Sequence, residues 1–267
     1  MMKQVHLALG LFCCLILIGS DPVLSQEAPT TFFGVGYMKV APEKTTEYLD
    51  LEQKIWKPIQ QQRLEAGIIV GWDLYAVRFP GGTDAPYQYV TVNIYDDLAK
   101  IESGFSEDLV KRAHPNVDMA DLFDKTIAAR DLVRSEIWVQ RELASPDAEM
   151  KVGDYITIGY MKVPPGKGGA YLGMEREVYK PIQLARIADG WIDNWGINQL
   201  LLPGGTGGEY NWAAVQVYSD FGKLFGGNSR ENFEKAHPGL VPSVFESANN
   251  VRDMVRVDLW TLVDRVR

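Results

Sequence analysis

The chain has 267 residues, of which 46% are hydrophobic and 23% charged, and its formal net charge is −8. This length can bury the cores of two small domains, and the composition is that of an ordinary globular protein. The acidic balance argues against a nucleic-acid-binding protein, which would show a basic patch or stripe.

The first 25 residues have the pattern of a secretory signal peptide. One lysine precedes an apolar run over residues 7–19, which is too short to cross a bilayer as a helix. Val23 and Ser25 occupy the small-residue positions before a cleavage bond that we place near Ser25–Gln26. We therefore expect an exported protein, periplasmic or extracellular, with no stable membrane insertion.

Both cysteines, Cys13 and Cys14, fall in the segment that this cleavage removes. Without them the remaining chain has no disulfide, no thiolate metal site, no cysteine nucleophile and no iron–sulfur cluster. The sequence also lacks the HExxH, GxSxG and strand-following GxGxxG patterns. No metal site is predicted.

The rest of the chain is an internal repeat with an offset of 123 residues. Residues 36–60 read GYMKVAPEKTTEYLDLEQKIWKPIQ and residues 159–183 read GYMKVPPGKGGAYLGMEREVYKPIQ, with 14 of 25 positions identical. Such self-similarity marks a repeated structural unit. We place the first repeat at residues 31–142, a polar linker at 143–153 and the second repeat at 154–265.

Each repeat shows the same order of elements. In the first, residues 33–40 form a short strand, and residues 43–66 have the apolar stripe of a helix, with a kink or restart at Pro58 and an end at Gly67. Strands at 68–79 and 87–95 flank a PGGT turn, a mostly helical segment covers 96–130, and a last strand covers 134–141. The order β-α-β-β-α-β predicts an α+β fold of two tandem ferredoxin-like repeats.

The strand pattern suggests what the helix-free face of each sheet contains. In the third strand, Val90, Val92 and Ile94 alternate with larger polar and aromatic residues, and we expect the aliphatic set to lie under the helices. The opposite faces would then bind a ligand through Tyr87, Tyr89, Asn93, Arg134, Glu136, Trp138, Tyr210, Trp212, Gln216, Arg256, Asp258 and Trp260.

These faces are too apolar for water and too polar for a simple core. The two repeats are therefore expected to pack sheet to sheet around a shared small-molecule cavity, as a monomer with pseudo-twofold symmetry. Further association into an oligomer stays open. Arg134 with Glu136, and Arg256 with Asp258, would hold an anionic group there, or would form structural salt bridges at the rim.

His114 and His237 fall at matching positions and are the candidate catalytic residues. Each could be a general base or a metal or haem ligand, or could simply end a helix, where the dipole favours its charge. Glu52 and Arg63 recur as Glu175 and Arg186 on a second helical stripe, which would be either catalytic or an ion-paired flank or contact between the repeats.

The segments KVAPEKTTEYL and KVPPGKGGAYL, together with the element order, resemble the dimeric α+β-barrel superfamily. Its members include antibiotic-biosynthesis monooxygenases, muconolactone-isomerase-like proteins, chlorite-dismutase-like haem proteins and NIPSNAP-type domains. The resemblance covers nearly all of the chain after the leader and implies a fused dimer. In some haem-degrading relatives, asparagine, tryptophan and histidine act together; Trp212 and His237 match the last two, but the first strand has no asparagine.

We thus expect a protein that holds a small aromatic or anionic organic ligand between its sheets. Cofactor-independent oxygenation or isomerisation would be the leading chemistry. One alternative is a haem-binding or haem-processing protein, and another is a non-enzymatic interaction or assembly module.

Overall fold

A computed structural model describes residues 30–227, 230–239 and 250–267. The predicted signal peptide lies outside these residues. Eight strands are found in them: β1 (Phe32–Lys39), β2 (Gly71–Phe79), β3 (Tyr89–Tyr95), β4 (Asp131–Leu143), β5 (Tyr155–Lys162), β6 (Asn194–Leu202), β7 (Trp212–Tyr218) and β8 (Asp253–Val266).

Helices connect the strands in the same order in both repeats. Those of the first repeat are α1 (Thr45–Asp50), a π-helical segment (Leu51–Trp56), α2 (Lys57–Glu65), α3 (Glu107–Ala113) and α4 (Met119–Ala129). Those described in the second repeat are α5 (Gly168–Met174), a π-helical segment (Glu175–Tyr179), α6 (Lys180–Ala188) and α7 (Arg230–Ala236). Short 3-10 turns cover Pro42–Lys44, Leu98–Ser103 and Phe221–Lys223. None of the helices in the described ranges is long and apolar enough to span a membrane.

The predicted ferredoxin-like repeats are confirmed. In the first repeat the strands lie in the order β4-β1-β3-β2, and the second repeat has the matching order β8-β5-β7-β6. All pairings are antiparallel, including the β2–β3 hairpin that the PGGT turn predicted. In that turn Gly82 has φ of +93°, a conformation that glycine adopts without steric cost.

The two sheets join at their edges into one closed barrel, β1-β3-β2-β8-β5-β7-β6-β4. The joints are the pairs β2–β8 and β4–β6, each between strands of different repeats. Because β4 and β8 have 13 and 14 residues, each is long enough to pair with its own repeat and with the other. Closure leaves no strand edge of either sheet unpaired.

The sequence-based assignment of faces is wrong for the third strand of each repeat. Val90 packs inside the barrel, whereas Tyr89 packs under the helices, where its ring lies 5.0 Å from that of Tyr48. In β7, Ala213 likewise packs inside the barrel, and Trp212 packs under the helices. The buried Arg63 and Arg186 of the helices bond Asn93 and Gln216, and this fixes which side of β3 and β7 faces the helices.

The helix that carries Pro58 does not break. It passes through the π-helical segment Leu51–Trp56 and continues as α2, with Pro58 near the junction of the two. The equivalent helix of the second repeat has the same π-helical segment. Such segments are uncommon, and in both repeats this one comes directly before the shared KPIQ sequence.

The polar helical stripe is buried between helix and sheet within each repeat. Arg63 donates to Asn93 Oδ1 at 2.8 Å, and Arg186 donates to Gln216 Oε1 at 3.1 Å. Arg63 and Arg186 thus explain why β3 and β7 carry amides on their helix-facing side. Neither arginine makes a contact between the repeats in these bonds.

Glu52 and Glu175, in the two π-helical segments, are buried carboxyl groups. Burial raises the pKa of each from 4.5 to about 7, and the nearby Arg130 and Arg252 offset this only in part. Because the pKa in the folded protein exceeds that in the unfolded chain, the neutral carboxyl stabilises the fold below about pH 4.5. That contribution is lost as the pH rises to about 7.

We predict that Glu52→Gln together with Glu175→Gln removes this pH dependence, since glutamine keeps the shape without an ionisable group. The free energy of unfolding, measured with urea at several pH values, should fall in the wild type relative to the double variant between about pH 4.5 and 7. A constant difference over that range would contradict the prediction.

Candidate functional site

The barrel encloses a cavity of about 470 Å³. This volume is within the range of small-molecule sites. Aliphatic side chains of the central strands form much of its wall, among them Val35, Val92, Ile94, Ile156, Ile158, Ala213, Val215 and Val217. Seven aromatic residues complete it: Phe33, Tyr37, Tyr75, Trp138, Tyr160, Trp195 and Trp260. The interior between the two sheets is therefore hollow and mainly apolar.

A buried carboxylate lies behind the aromatic wall on the side of the first repeat. Glu136 of β4 accepts hydrogen bonds from Tyr37 Oη at 2.7 Å and Trp138 Nε1 at 2.9 Å. Tyr210 of the second repeat donates to the same carboxylate at 2.6 Å, and Arg134 donates to Tyr210 Oη at 2.6 Å. The strand places Glu136 and Trp138 two residues apart on one face, as the sequence predicted.

Asp258 of β8 occupies the corresponding place in the second repeat. It accepts from Tyr87 Oη of the first repeat at 2.7 Å and from Arg256 Nε at 3.1 Å. Arg256 also pairs with Glu209 at 2.9 Å and lies over the Tyr160 ring, 4.4 Å from its centroid. In each repeat, the buried acid thus accepts a hydrogen bond from a tyrosine of the other repeat.

The tyrosines of this cluster are held as neutral hydrogen-bond donors. Burial is the main cause that raises the pKa of Tyr37 and Tyr160 well above 10, and the nearby acids raise it further. Burial and the adjacent carboxylates likewise raise the pKa of Tyr87 and Tyr210. At neutral pH these phenols can donate a hydrogen bond but do not act as phenolate bases.

The other end of the cavity is polar and is covered by the linker. Asp73 accepts from Arg267 at 2.7 Å and from Tyr75 at 3.2 Å, and lies 3.5 Å from Arg265 Nε. Arg265 also donates to the carbonyl of Met150 in the linker. Residues 146 and 148–150 line the cavity, so the linker is part of its wall.

The predicted ligand-binding residues fall into three groups. Trp138 and Trp260 line the cavity, and a second group lies inside the barrel directly behind its aromatic wall: Tyr87, Tyr210, Glu136, Asp258, Arg134 and Arg256. The third group, Tyr89, Asn93, Trp212 and Gln216, lies under the helices and faces away from the cavity. The prediction that these four residues lie inside the barrel is therefore wrong, because β3 and β7 have the opposite side turned towards the helices.

The two histidines lie on the helical layer. His114 Nε2 bonds the carbonyl of Ile55 at 3.0 Å, and His237 Nε2 bonds that of Val178 at 2.8 Å. Neither histidine lines the barrel cavity. Both carbonyls belong to the π-helical segments, so each histidine links two helices of its own repeat.

Trp212 and His237, the residues that match the haem-degrading relatives, do not face the barrel cavity. Trp212 is buried against the Tyr171 ring, 5.1 Å away, in a packed helix–sheet layer, and His237 Nε2 bonds a backbone carbonyl on the helical layer. No group of three or more His, Cys, Asp or Glu residues suited to a metal ion occurs in the part of the chain that the structure describes.

The sequence did not single out the polar end of the cavity. Asp73 lies in β2. Arg265 and Arg267 come after Trp260, the last position at which the two repeats were matched. Only the register of β2 against β8, which pairs Asp73 with Arg265, brings them together. No local pattern signals such a pairing between strands almost 200 residues apart in sequence.

No family model matches this chain, and no curated protein matches it in sequence. Solved structures share its fold. A candidate monooxygenase from Fusobacterium nucleatum superposes with a TM-score of 0.54 at 10% identity, covering 90% of this chain and 94% of that one. An anthrone oxidase-like protein gives 0.51 at 12% identity, covering 90% and 94%. A candidate chlorite dismutase gives 0.50 at 12% identity, covering 89% and 96%. The chain therefore has the fold of the dimeric α+β barrels.

We predict that Glu136→Ala destabilises the protein by about 3 kcal/mol or more, because it leaves three buried donors without their acceptor. Urea unfolding measures the loss. The exposed Glu102→Ala should change stability by less than about 0.5 kcal/mol. Equal effects of the two substitutions would show that the carboxylate does not organise the barrel interior.

Proposed function

We propose that this protein is exported and binds a small, largely apolar aromatic molecule inside its barrel. The observation that carries the proposal is the hollow, mainly apolar interior, which aromatic side chains line in part. A core whose only task was to join two repeats would be packed to the density of other protein interiors. This feature favours ligand binding over a purely structural assembly module.

The charges around the cavity favour a neutral aromatic ligand over an anionic one. Arg134 and Arg256 are held by Tyr210 and Asp258 and do not line the cavity. Arg265 and Arg267 line it, but both lie against Asp73. These two arginines are the only cations among the described residues that line the cavity, and both lie at its polar end, so its aromatic part has no positive group to attract an anion.

Cofactor-independent oxygenation or isomerisation of the bound molecule is our second candidate. One observation favours it: Tyr37 lines the cavity and donates to the buried Glu136. Because the phenol directs its own proton to Glu136, a proton released by a bound molecule would pass through the phenol oxygen to the carboxylate, and the phenol would stay neutral. The solved structures named above as candidate monooxygenase and anthrone oxidase-like protein are consistent with this chemistry by fold alone.

Filling the cavity tests the binding proposal. We expect wild-type protein to bind ethylnaphthalene and acetylnaphthalene, as measured by calorimetry. We expect Val92→Trp and Val215→Trp, whose side chains line the cavity, to weaken binding at least about 10-fold, which is about 1.4 kcal/mol.

The matched control is Val133→Trp, which adds the same bulk at an exposed position of β4 and should leave binding unchanged. Circular dichroism must show that all variants remain folded. The proposal is wrong if neither probe binds the wild type at millimolar concentration, or if the filled variants bind as well as the control.

A further inference from the structure

Two amide side chains line the cavity at the joint between β4 and β6. Gln140 of β4 and Asn198 of β6 are direct cross-strand partners, and both belong to the cavity wall. Along β4, Gln140 follows Glu136 and Trp138 at steps of two residues, so it shares their inward face. The pair places two neutral polar groups on a wall that is otherwise mainly apolar.

The protein itself does not satisfy these amides. Within the part of the chain that the structure describes, neither side chain makes a hydrogen bond, and the two do not bond each other. Asn198 Oδ1 is buried, so the accessible polar atoms are Asn198 Nδ2 and both those of Gln140. Gln199, on the opposite face of β6, differs because it accepts from Arg141 at 2.9 Å.

The other joint of the barrel has no such pair. By the offset of the repeat, Tyr75 matches Asn198 and Leu262 matches Gln140, and these two are cross-strand partners in β2 and β8. Leucine has no polar group, and the Tyr75 hydroxyl donates to Asp73 at 3.2 Å. An amide without a partner costs free energy in an apolar setting, and a binding cavity keeps such groups to orient its ligand.

The chemistry of the amide side favours a neutral group on the ligand. Asp73 and Arg265 are cross-strand partners at the other joint, and their equivalents beside the amides are Gly196 and Leu143, which carry no charge. The accessible amide atoms are two nitrogen donors and one oxygen acceptor. A hydroxyl group can accept from one and donate to another through a single oxygen, whereas a carboxylate can only accept.

Resting on the proposed function, we propose that Gln140 and Asn198 form a hydroxyl-binding subsite, and that the ligand is an aromatic molecule with a neutral hydroxyl group. The hydroxyl oxygen accepts from Asn198 Nδ2, and its proton is donated to Gln140 Oε1. The ring lies against the aromatic part of the wall. Because the other joint has no equivalent subsite, the barrel holds this ligand in one orientation.

The test compares two probes of nearly equal size, naphthalenemethanol and ethylnaphthalene, in which a methyl group replaces the hydroxyl. Calorimetry gives both affinities for the wild type, Gln140→Leu and Asn198→Leu. Each substitution should weaken binding of the alcohol about 3- to 10-fold relative to ethylnaphthalene, because it removes a hydrogen bond and keeps a side chain of similar size. Leucine already occupies the position that matches Gln140 in the second repeat.

Gln199→Leu is the matched control, because it removes an amide from the opposite face of the same strand and should leave the ratio of the two affinities unchanged. The inference is overturned if Gln140→Leu and Asn198→Leu alter both affinities by equal factors, or if the control shifts the ratio as much as they do. It is also overturned if the wild type binds ethylnaphthalene but not the alcohol at millimolar concentration. Failure of the wild type to bind either probe would instead overturn the proposed function itself.

Discussion

The last strands of the two repeats, β4 and β8, each pair with two other strands, one from their own repeat and one from the other. These pairings between repeats turn two open sheets into a barrel. An open four-stranded sheet would expose both its edges and one face. Closure satisfies the edges with backbone hydrogen bonds and places the remaining faces around a common axis. The cavity, its walls and the buried acids all follow from this arrangement.

Closure also determines which residues face inward. The sequence pattern of period two shows that a strand has two faces but does not say which one meets the helices. For β4 and β8 the prediction was right, because Glu136, Trp138, Asp258 and Trp260 do lie inside. For β3 and β7 it was wrong, since the buried Arg63 and Arg186 require amide partners on the helix side. The arginines on the helices would have indicated the correct side, because a buried arginine needs polar partners on the strand that it faces.

The repeat itself and the order of elements could be predicted from sequence, because they depend on self-similarity, short-range periodicity and turn residues, which are local. A cavity between the sheets was also expected, but partly from residues of β3 and β7 that lie under the helices. The contacts across the barrel could not, because they depend on register. Tyr210 with Glu136 and Tyr87 with Asp258 join residues 74 and 171 positions apart. The sequence analysis selected all four residues as site residues, but it did not predict which of them pair.

Duplication of one module gives the barrel two equivalent sets of aromatic and acidic residues, and divergence has made them unequal. In the first repeat, Tyr37 and Trp138 both donate to Glu136. In the second repeat, the equivalent Trp260 Nε1 is buried without a hydrogen-bond partner. A symmetric site could accept a ligand in two orientations with equal free energy, whereas unequal halves favour one. The duplicated chain can achieve this because each half mutates independently, which a dimer of identical subunits cannot do.

The central claim is that the barrel interior is a binding chamber and not a packing defect. Native mass spectrometry of the protein purified from its source tests it most directly. We expect a species heavier than the chain by one small organic molecule, which is released on denaturation and absorbs as an aromatic compound. The bare chain mass, together with no uptake of aromatic compounds added at millimolar concentration, would contradict the account.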